Sequence, residues 1–167
     1  MIGPRVLGAR VLDLFAGSGA LGLEALSRGG ERAVLVDRDP VAVRFMGINA
    51  AACGVEKRVR ILRADVAAAM RRLEEEGETF HLVFMDPPYG TDEVAGTLVR
   101  LGGLVLVGGM VAAEHGCRDA VPGEAEGWDR VRFRRYGDTA VSIFVPSAGD
   151  GRHRKNDPDS DPGSGSV

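Results

Sequence analysis

Apolar residues run along this chain in two rhythms. Short runs at 9–15, 33–37, 58–62 and 80–86 are continuously or nearly continuously apolar and predict strands buried on both faces. The intervening segments repeat with helical spacing. Residues 18–30 carry Leu21, Leu23, Ala25 and Leu26 before a Gly29-Gly30 stop. Residues 39–54 open on an Asp39 cap with Pro40 in the first turn and close on Gly54, and residues 65–77 open on an Asp65 cap and show a charged outer face. Strands alternating with helices of this length predict an α/β fold: a mostly parallel sheet, right-handed crossovers and helices on both faces.

Beyond Gly90 the rhythm loosens. Residues 91–101 suit a helix that Gly96 weakens, the glycine-rich stretch 101–109 fits neither period, and 110–115 reads as a fifth strand. Residues 128–146 divide into two strands about Gly137-Asp138, a hairpin signal. From Ser147 the chain is Gly, Ser, Asp and Pro with almost nothing apolar, so one domain is expected over 1–146 and a disordered tail over 147–167.

Composition narrows the picture without redirecting it. The 167 residues are 44% hydrophobic and 27% charged, enough for one ordinary core. A net charge of -3 gives no global basic footprint for nucleic acid. No apolar run approaches the ~20 residues of a membrane span, and no secretory signal precedes the first strand. Cys53 and Cys117 lack zinc or redox spacing, so a reduced, cytoplasmic, metal-free protein is expected.

The chemistry begins at Gly17-x-Gly19-x-x-Gly22, set between a strand and a helix, with Asp37 ending the next strand 20 residues after Gly17. That is the dinucleotide fingerprint, and spacing alone does not separate a nicotinamide enzyme from another binder of an adenosyl ligand. Charge does separate them. A pyrophosphate disfavours carboxylates at this loop, yet Asp13 stands four residues before Gly17. S-adenosylmethionine has no phosphate and carries a sulfonium and an ammonium, which Asp13 suits. Asp37 would then hold the ribose hydroxyls, while Asp65 caps its helix or accepts from the adenine amine. Phe15, Ser18, Arg38 and Val66 adjoin these positions and complete the expected cofactor set.

The fourth strand runs into Asp86-Pro87-Pro88-Tyr89. In an open sheet its carboxyl end lies beside the glycine loop. An exocyclic base amine is a poor nucleophile because its lone pair is delocalised. Asp86 and the Pro87 carbonyl can accept its two N–H groups and turn the lone pair toward a methyl donor, with the prolines removing competing donors. Tyr89 offers a stacking face worth ~1–3 kcal/mol to a flipped-out base. The rest is positioning and needs no metal.

With these residues in view, "VLDLFAGSGALGLEALSRGG", "VDRD", "NAAACG" and "DPPYG" together resemble the bacterial 16S ribosomal RNA guanine-N2 methyltransferases of the RsmD type, over about residues 7–146 including "YGDTAVSIF". The resemblance implies a Rossmann-like class I methyltransferase fold, with a seven-stranded sheet whose last strand is antiparallel. It implies S-adenosylmethionine held by Asp13, Gly17, Gly19, Asp37 and Asp65, and a guanine of ribosomal RNA held by Asp86 to Tyr89. The partner implied is an assembling small ribosomal subunit, met by a monomer. In that family a further segment with a basic hairpin and an arginine-containing helix precedes the first strand. Here the strand follows "MIGPRVLG", so either translation starts further upstream or substrate binding is weakened. Amines of adenine or cytosine in DNA are the rival substrates. A cofactor-binding remnant without catalysis is the rival class, and a dinucleotide oxidoreductase stands further off. Arg130, Arg132 and Arg134 alternate along one strand with Arg135 beside them, either as a phosphate patch or as a solvated face.

Overall fold

The computed structural model describes residues 3–88, 93–119, 121, 124–125 and 127–147. Alternation of strand and helix is present as the apolar rhythm requires: β1 (Arg10–Leu14), α1 (Ala20–Ser27), β2 (Arg32–Asp37), α2 (Pro40–Ala52), β3 (Val59–Arg63), α3 (Val66–Glu75), β4 (Phe80–Met85) and α4 (Glu93–Arg100). Then follow β5 (Val105–Gly116), β6 (Glu124–Ala125), β7 (Trp128–Tyr136) and β8 (Thr139–Pro146). The caps anticipated at Asp39 and Asp65 form, their carboxylates accepting from Val41 N at 2.8 Å and Ala67 N at 2.9 Å. α1 is shorter than its pattern because Gly19, at φ 82°, ends the loop in a conformation that favours glycine.

All strands join one sheet in the order β3-β2-β1-β4-β5-β8-β7-β6. β1 to β5 are parallel, and β8 is inserted antiparallel between β5 and β7. β7 therefore runs with the parallel set, giving six strands in one direction and the last one against them. The two-residue β6, too short to leave a sequence pattern, adds an eighth strand at the edge. β5 begins five residues earlier than its apolar run suggested. The register moves from Phe80↔Val105 to Leu82↔Met110, and this bulge takes the glycine-rich stretch into the sheet.

Side chains alternate between two apolar layers. Leu12, Leu14, Val83 and Met85 face α3 and α4, while Val11, Leu82 and Phe84 face the layer of α1 and α2. Buried Trp128 donates from Nε1 to Leu98 O at 2.8 Å and ties the terminal hairpin to α4. Of the expected tail, Ser147 is described, donating to Gly127 O and to Asp129; residues 148–167 lie outside the described residues.

Candidate functional site

The site forms where β1, β2, β3 and β4 end together, the crevice that open α/β sheets leave for ligands. Phe15 leaves β1 at φ 62°, a left-handed conformation that is rare for a bulky residue. The Ala16 amide bonds Val36 O at 2.9 Å just after it and fixes this turn against β2. Asp37 closes the other side. Its Oδ2 accepts from Gly17 N and its Oδ1 from Asp39 N, both at 2.9 Å, so one carboxylate fastens the glycine loop and the start of α2. Asn49 of α2 donates to Ser18 O at 3.0 Å and holds the loop from behind.

These elements enclose a cavity of about 800 Å³. Phe15, Asp37, Arg38, Asp65, Val66 and Asp86 line it together with Pro87 and Pro88. Gly17, Ser18 and Gly19 do not line it; Gly17 is joined to it through its bond to Asp37. Tyr89 lies outside the described residues.

Asp13 is placed differently from the charge argument. It is 1% exposed and does not line the cavity; its carboxylate turns to Gly22 N, 2.8 Å away. Alternation along β1 is the cause, since Val11 faces the α1 layer while Leu12 and Leu14 face the other. Burial first, then the charges of Asp86 and Asp37, push the Asp13 carboxyl up to about 7 against the opposing Gly22 bond. Asp86 is exposed, and its carboxyl is also raised, by desolvation and by the charge of Glu114.

Sequence reasoning did not name the wall contributed by α4. Glu93, Gly96, Thr97 and Arg100 line the cavity at i, i+3, i+4 and i+7, a single helical stripe. The signal was present in Gly96, which weakens a helix yet leaves its face open to the cavity. The arginines of β7 also part company. A register shift between Arg130 and Arg132 turns Arg130 to the Phe144 face, where its guanidinium lies 5.2 Å from the Phe133 ring centre. Arg132 and Arg134 keep to the opposite face. His115 is buried and bonds Ser142 Oγ at 2.9 Å, a strand-to-strand tie away from the cavity. Among the described residues no cluster of His, Cys, Asp and Glu could hold a metal ion, and no helix is long and apolar enough to cross a membrane.

Comparison with known proteins agrees with this geometry. The profile of the family described as "Conserved hypothetical protein 95" matches residues 1–145. "Putative rRNA methyltransferase YlbH" of Bacillus subtilis is 35% identical over 146 residues, covering 86% of this chain and 79% of the relative. "Ribosomal RNA small subunit methyltransferase D" of Escherichia coli K12 is 30% identical over 149 residues, covering 88% and 73%. A solved structure described as a conserved hypothetical protein of Streptococcus pyogenes is 35% identical, superposes with a TM-score of 0.81, and is covered over 91% of its length by 88% of this chain. Solved structures with methyltransferase and methylase titles share the fold, which is that of the class I methyltransferases.

Proposed function

Because the chain belongs to the family described as "Conserved hypothetical protein 95", the RsmD type, we propose that it methylates the exocyclic N2 amine of a guanine in 16S ribosomal RNA, using S-adenosylmethionine. The observation that carries this reading is the single cavity shared by Asp86, Pro87 and Pro88 at the end of β4 and by Asp37 and Asp65 at the ends of β2 and β3. Amine chemistry on one side and an adenosyl-binding wall on the other meet there.

The residues fit the cofactor. Asp37 is fixed at both oxygens by backbone amides, which leaves lone pairs for ribose hydroxyls. Asp65 caps α3 and lines the cavity, so capping and binding are compatible in one side chain. Four carboxylates, Asp37, Asp65, Asp86 and Glu93, outnumber the two guanidinium groups of Arg38 and Arg100 along the wall, a balance that suits a sulfonium and ammonium better than a pyrophosphate. Asp13 serves indirectly, by holding Gly22 and with it the loop. S-adenosylmethionine supplies an electrophilic methyl group when bound. Asp86 and the Pro87 carbonyl accept the two amine hydrogens and orient the lone pair, and Tyr89 supplies the stacking face. Transfer of the methyl group to the amine nitrogen would break its bond to the sulfonium, whose sulfur keeps the electron pair and leaves as a neutral thioether; the nitrogen then sheds one proton, and Asp86 is the carboxylate at that strand end to receive it. The chain acts in the cytoplasm as a monomer on the assembling small subunit.

Transfer of labelled methyl to small ribosomal subunits lacking the modification tests this, followed by nuclease digestion and identification of the methylated nucleoside. N2-methylguanosine is expected. N6-methyladenosine, methylation of DNA instead, or cofactor binding without any transfer would each displace the reading.

A further inference from the structure

β4 and β5 run parallel and keep register to the end of β4. Phe84 pairs with Ala112 in one apolar layer and Met85 with Ala113 in the other. The next residue on each course is a carboxylate, Asp86 just after β4 and Glu114 within β5. Neighbouring strands lie about 4.8 Å apart, so the two side chains stand within reach of one small planar ligand. The Glu114 charge is also one of the two causes that raise the Asp86 carboxyl. Asp86 borders the cofactor cavity, whereas Glu114 does not. Half-buried Glu114 therefore stands beside the reacting end of the site without belonging to the cofactor wall. Its partner on β8 is Val141, whose side chain brings no donor to this place.

Guanine offers three donors in a row along one edge, its N1–H and the two hydrogens of its N2 amine. Asp86 and the Pro87 carbonyl account for the amine hydrogens, and N1–H is left for a further acceptor. Adenine and cytosine instead present a bare ring nitrogen, N1 or N3, beside their amines. A carboxylate at that place accepts a charge-assisted bond from guanine and repels the lone pair of the other two. The same rule of sign sets which way round the guanine lies, because its own N3 lone pair turns away from Glu114. A base taken out of its stack is read in this way, by hydrogen bonds to its Watson–Crick edge.

We propose that Glu114 is the specificity-determining residue of the site, accepting the N1–H of guanine while Asp86 and Pro87 hold the amine. The proposal rests on the guanine-N2 reading and deepens it. Amine chemistry belongs to the turn after β4, and the choice of guanine belongs to β5. A carboxylate has two oxygens with about four lone-pair sites, room for a base donor beside a protein neighbour.

The test uses small subunits reconstituted with 16S RNA that carries either guanine or 2-aminopurine at the target position. 2-Aminopurine keeps the reacting amine and has a bare acceptor in place of N1–H; its missing O6 affects wild type and variants alike. The kcat/KM of methyl transfer is measured on both substrates with wild type, Glu114→Gln and Glu114→Ala. Wild type is expected to favour guanine by about 10²-fold or more. In Glu114→Gln an amide N–H can donate to the ring acceptor, and the preference is expected to fall below about tenfold. Glu114→Ala loses both the attraction and the repulsion, and its preference should fall as well. The ratio of two substrates within one protein does not depend on the folded fraction, so a merely structural role would leave it unchanged. A wild type that does not discriminate, or variants that keep the wild-type ratio, overturns the proposal. So do variants that melt as wild type does and transfer to neither base, since Glu114 then serves catalysis rather than choice. If wild type forms N2-methylguanosine while the variants keep its ratio, the role of Glu114 fails and the function stands. If wild type forms another nucleoside, the function fails on wild type alone, and the proposal falls with it.

Discussion

Asp13 Oδ2, at the end of β1, accepts a 2.8 Å hydrogen bond from the amide of Gly22 in the first turn of α1. First-turn amides have no partner within their own helix, so the strand supplies a buried carboxylate where the helix presents unsatisfied donors. The loop between them, which carries Gly17, Ser18 and Gly19, is thereby held at both ends. The carboxyl is raised from 3.8 to about 7, chiefly by burial. Its folded value lies above its unfolded value, so its contribution to stability is complete below pH 3.8 and is lost as pH rises through about 7. Asn at this position keeps an acceptor for Gly22 without a charge. Without cofactor, Asp13→Asn should therefore melt higher than wild type near pH 8, on the order of 5 °C, with the gap closing toward about pH 4. Parallel melting curves across this range would show that the Asp13 charge carries no such linkage.

Gly22 is tied to the same pair by space. A Cβ there would collide with Leu35 Cδ2 and stand 3.2 Å from Asp13 Oδ2. Leu35 belongs to the packed layer under α1 and has little room to yield. Gly22→Ala is expected to cost roughly 1–3 kcal/mol of stability and to weaken S-adenosylmethionine binding as the loop shifts. Denaturant unfolding and calorimetry measure the two effects. An unchanged midpoint would mean that Leu35 repacks freely.

Asp86 and Glu114 make a second electrostatic pair. Desolvation and then the Glu114 charge raise the Asp86 carboxyl, and its accepting form is the ionised one. Single-turnover methyl transfer should rise with pH as Asp86 loses its proton. Glu114→Gln removes one of the two causes, so the acid limb should move to lower pH. Asp86→Asn should remove that limb and reduce the rate by roughly 10²-fold or more, with cofactor affinity retained. An acid limb that stays in place in Glu114→Gln would dissociate Glu114 from the titration.

Much of this site was legible because its signals are local. The caps at Asp39 and Asp65, the glycines at 17, 19 and 22, and Asp37 are set by spacing along the chain; the bond from Gly17 N to Asp37 is one that the spacing did not name. The direction in which Asp13 points was not legible. A strand buried on both faces carries no polar side to mark which residues face α1. The start of β5 was hidden for a related reason. Whether a glycine-rich run enters a sheet depends on its pairing with Phe80, a distant partner, not on its own pattern. The bulge at Val131 is equally non-local, and it reverses the face that Arg130 takes. Tyr89 lies outside the described residues.

The α4 wall separates cofactor space from stability. A Cβ at Gly96 would meet nothing within 4 Å, and the residue lines the cavity between Glu93 and Arg100. A glycine inside a helix costs about 1 kcal/mol relative to alanine, and leucine is nearly as good a helix former. Gly96→Leu should therefore leave the melting temperature unchanged or raise it by about 2–4 °C, the opposite of Gly22→Ala. The added side chain would project into the cavity, so S-adenosylmethionine affinity should fall by about tenfold or more, the loss of at least ~1.4 kcal/mol of binding. Gly96→Ala should gain the stability with little loss of affinity, since one methyl group occupies little of the cavity. Calorimetry on the three proteins checks both quantities. If Gly96→Leu binds the cofactor as wild type does, α4 borders empty space rather than ligand, and the adenosyl wall is confined to Phe15, Asp37, Arg38, Asp65 and Val66.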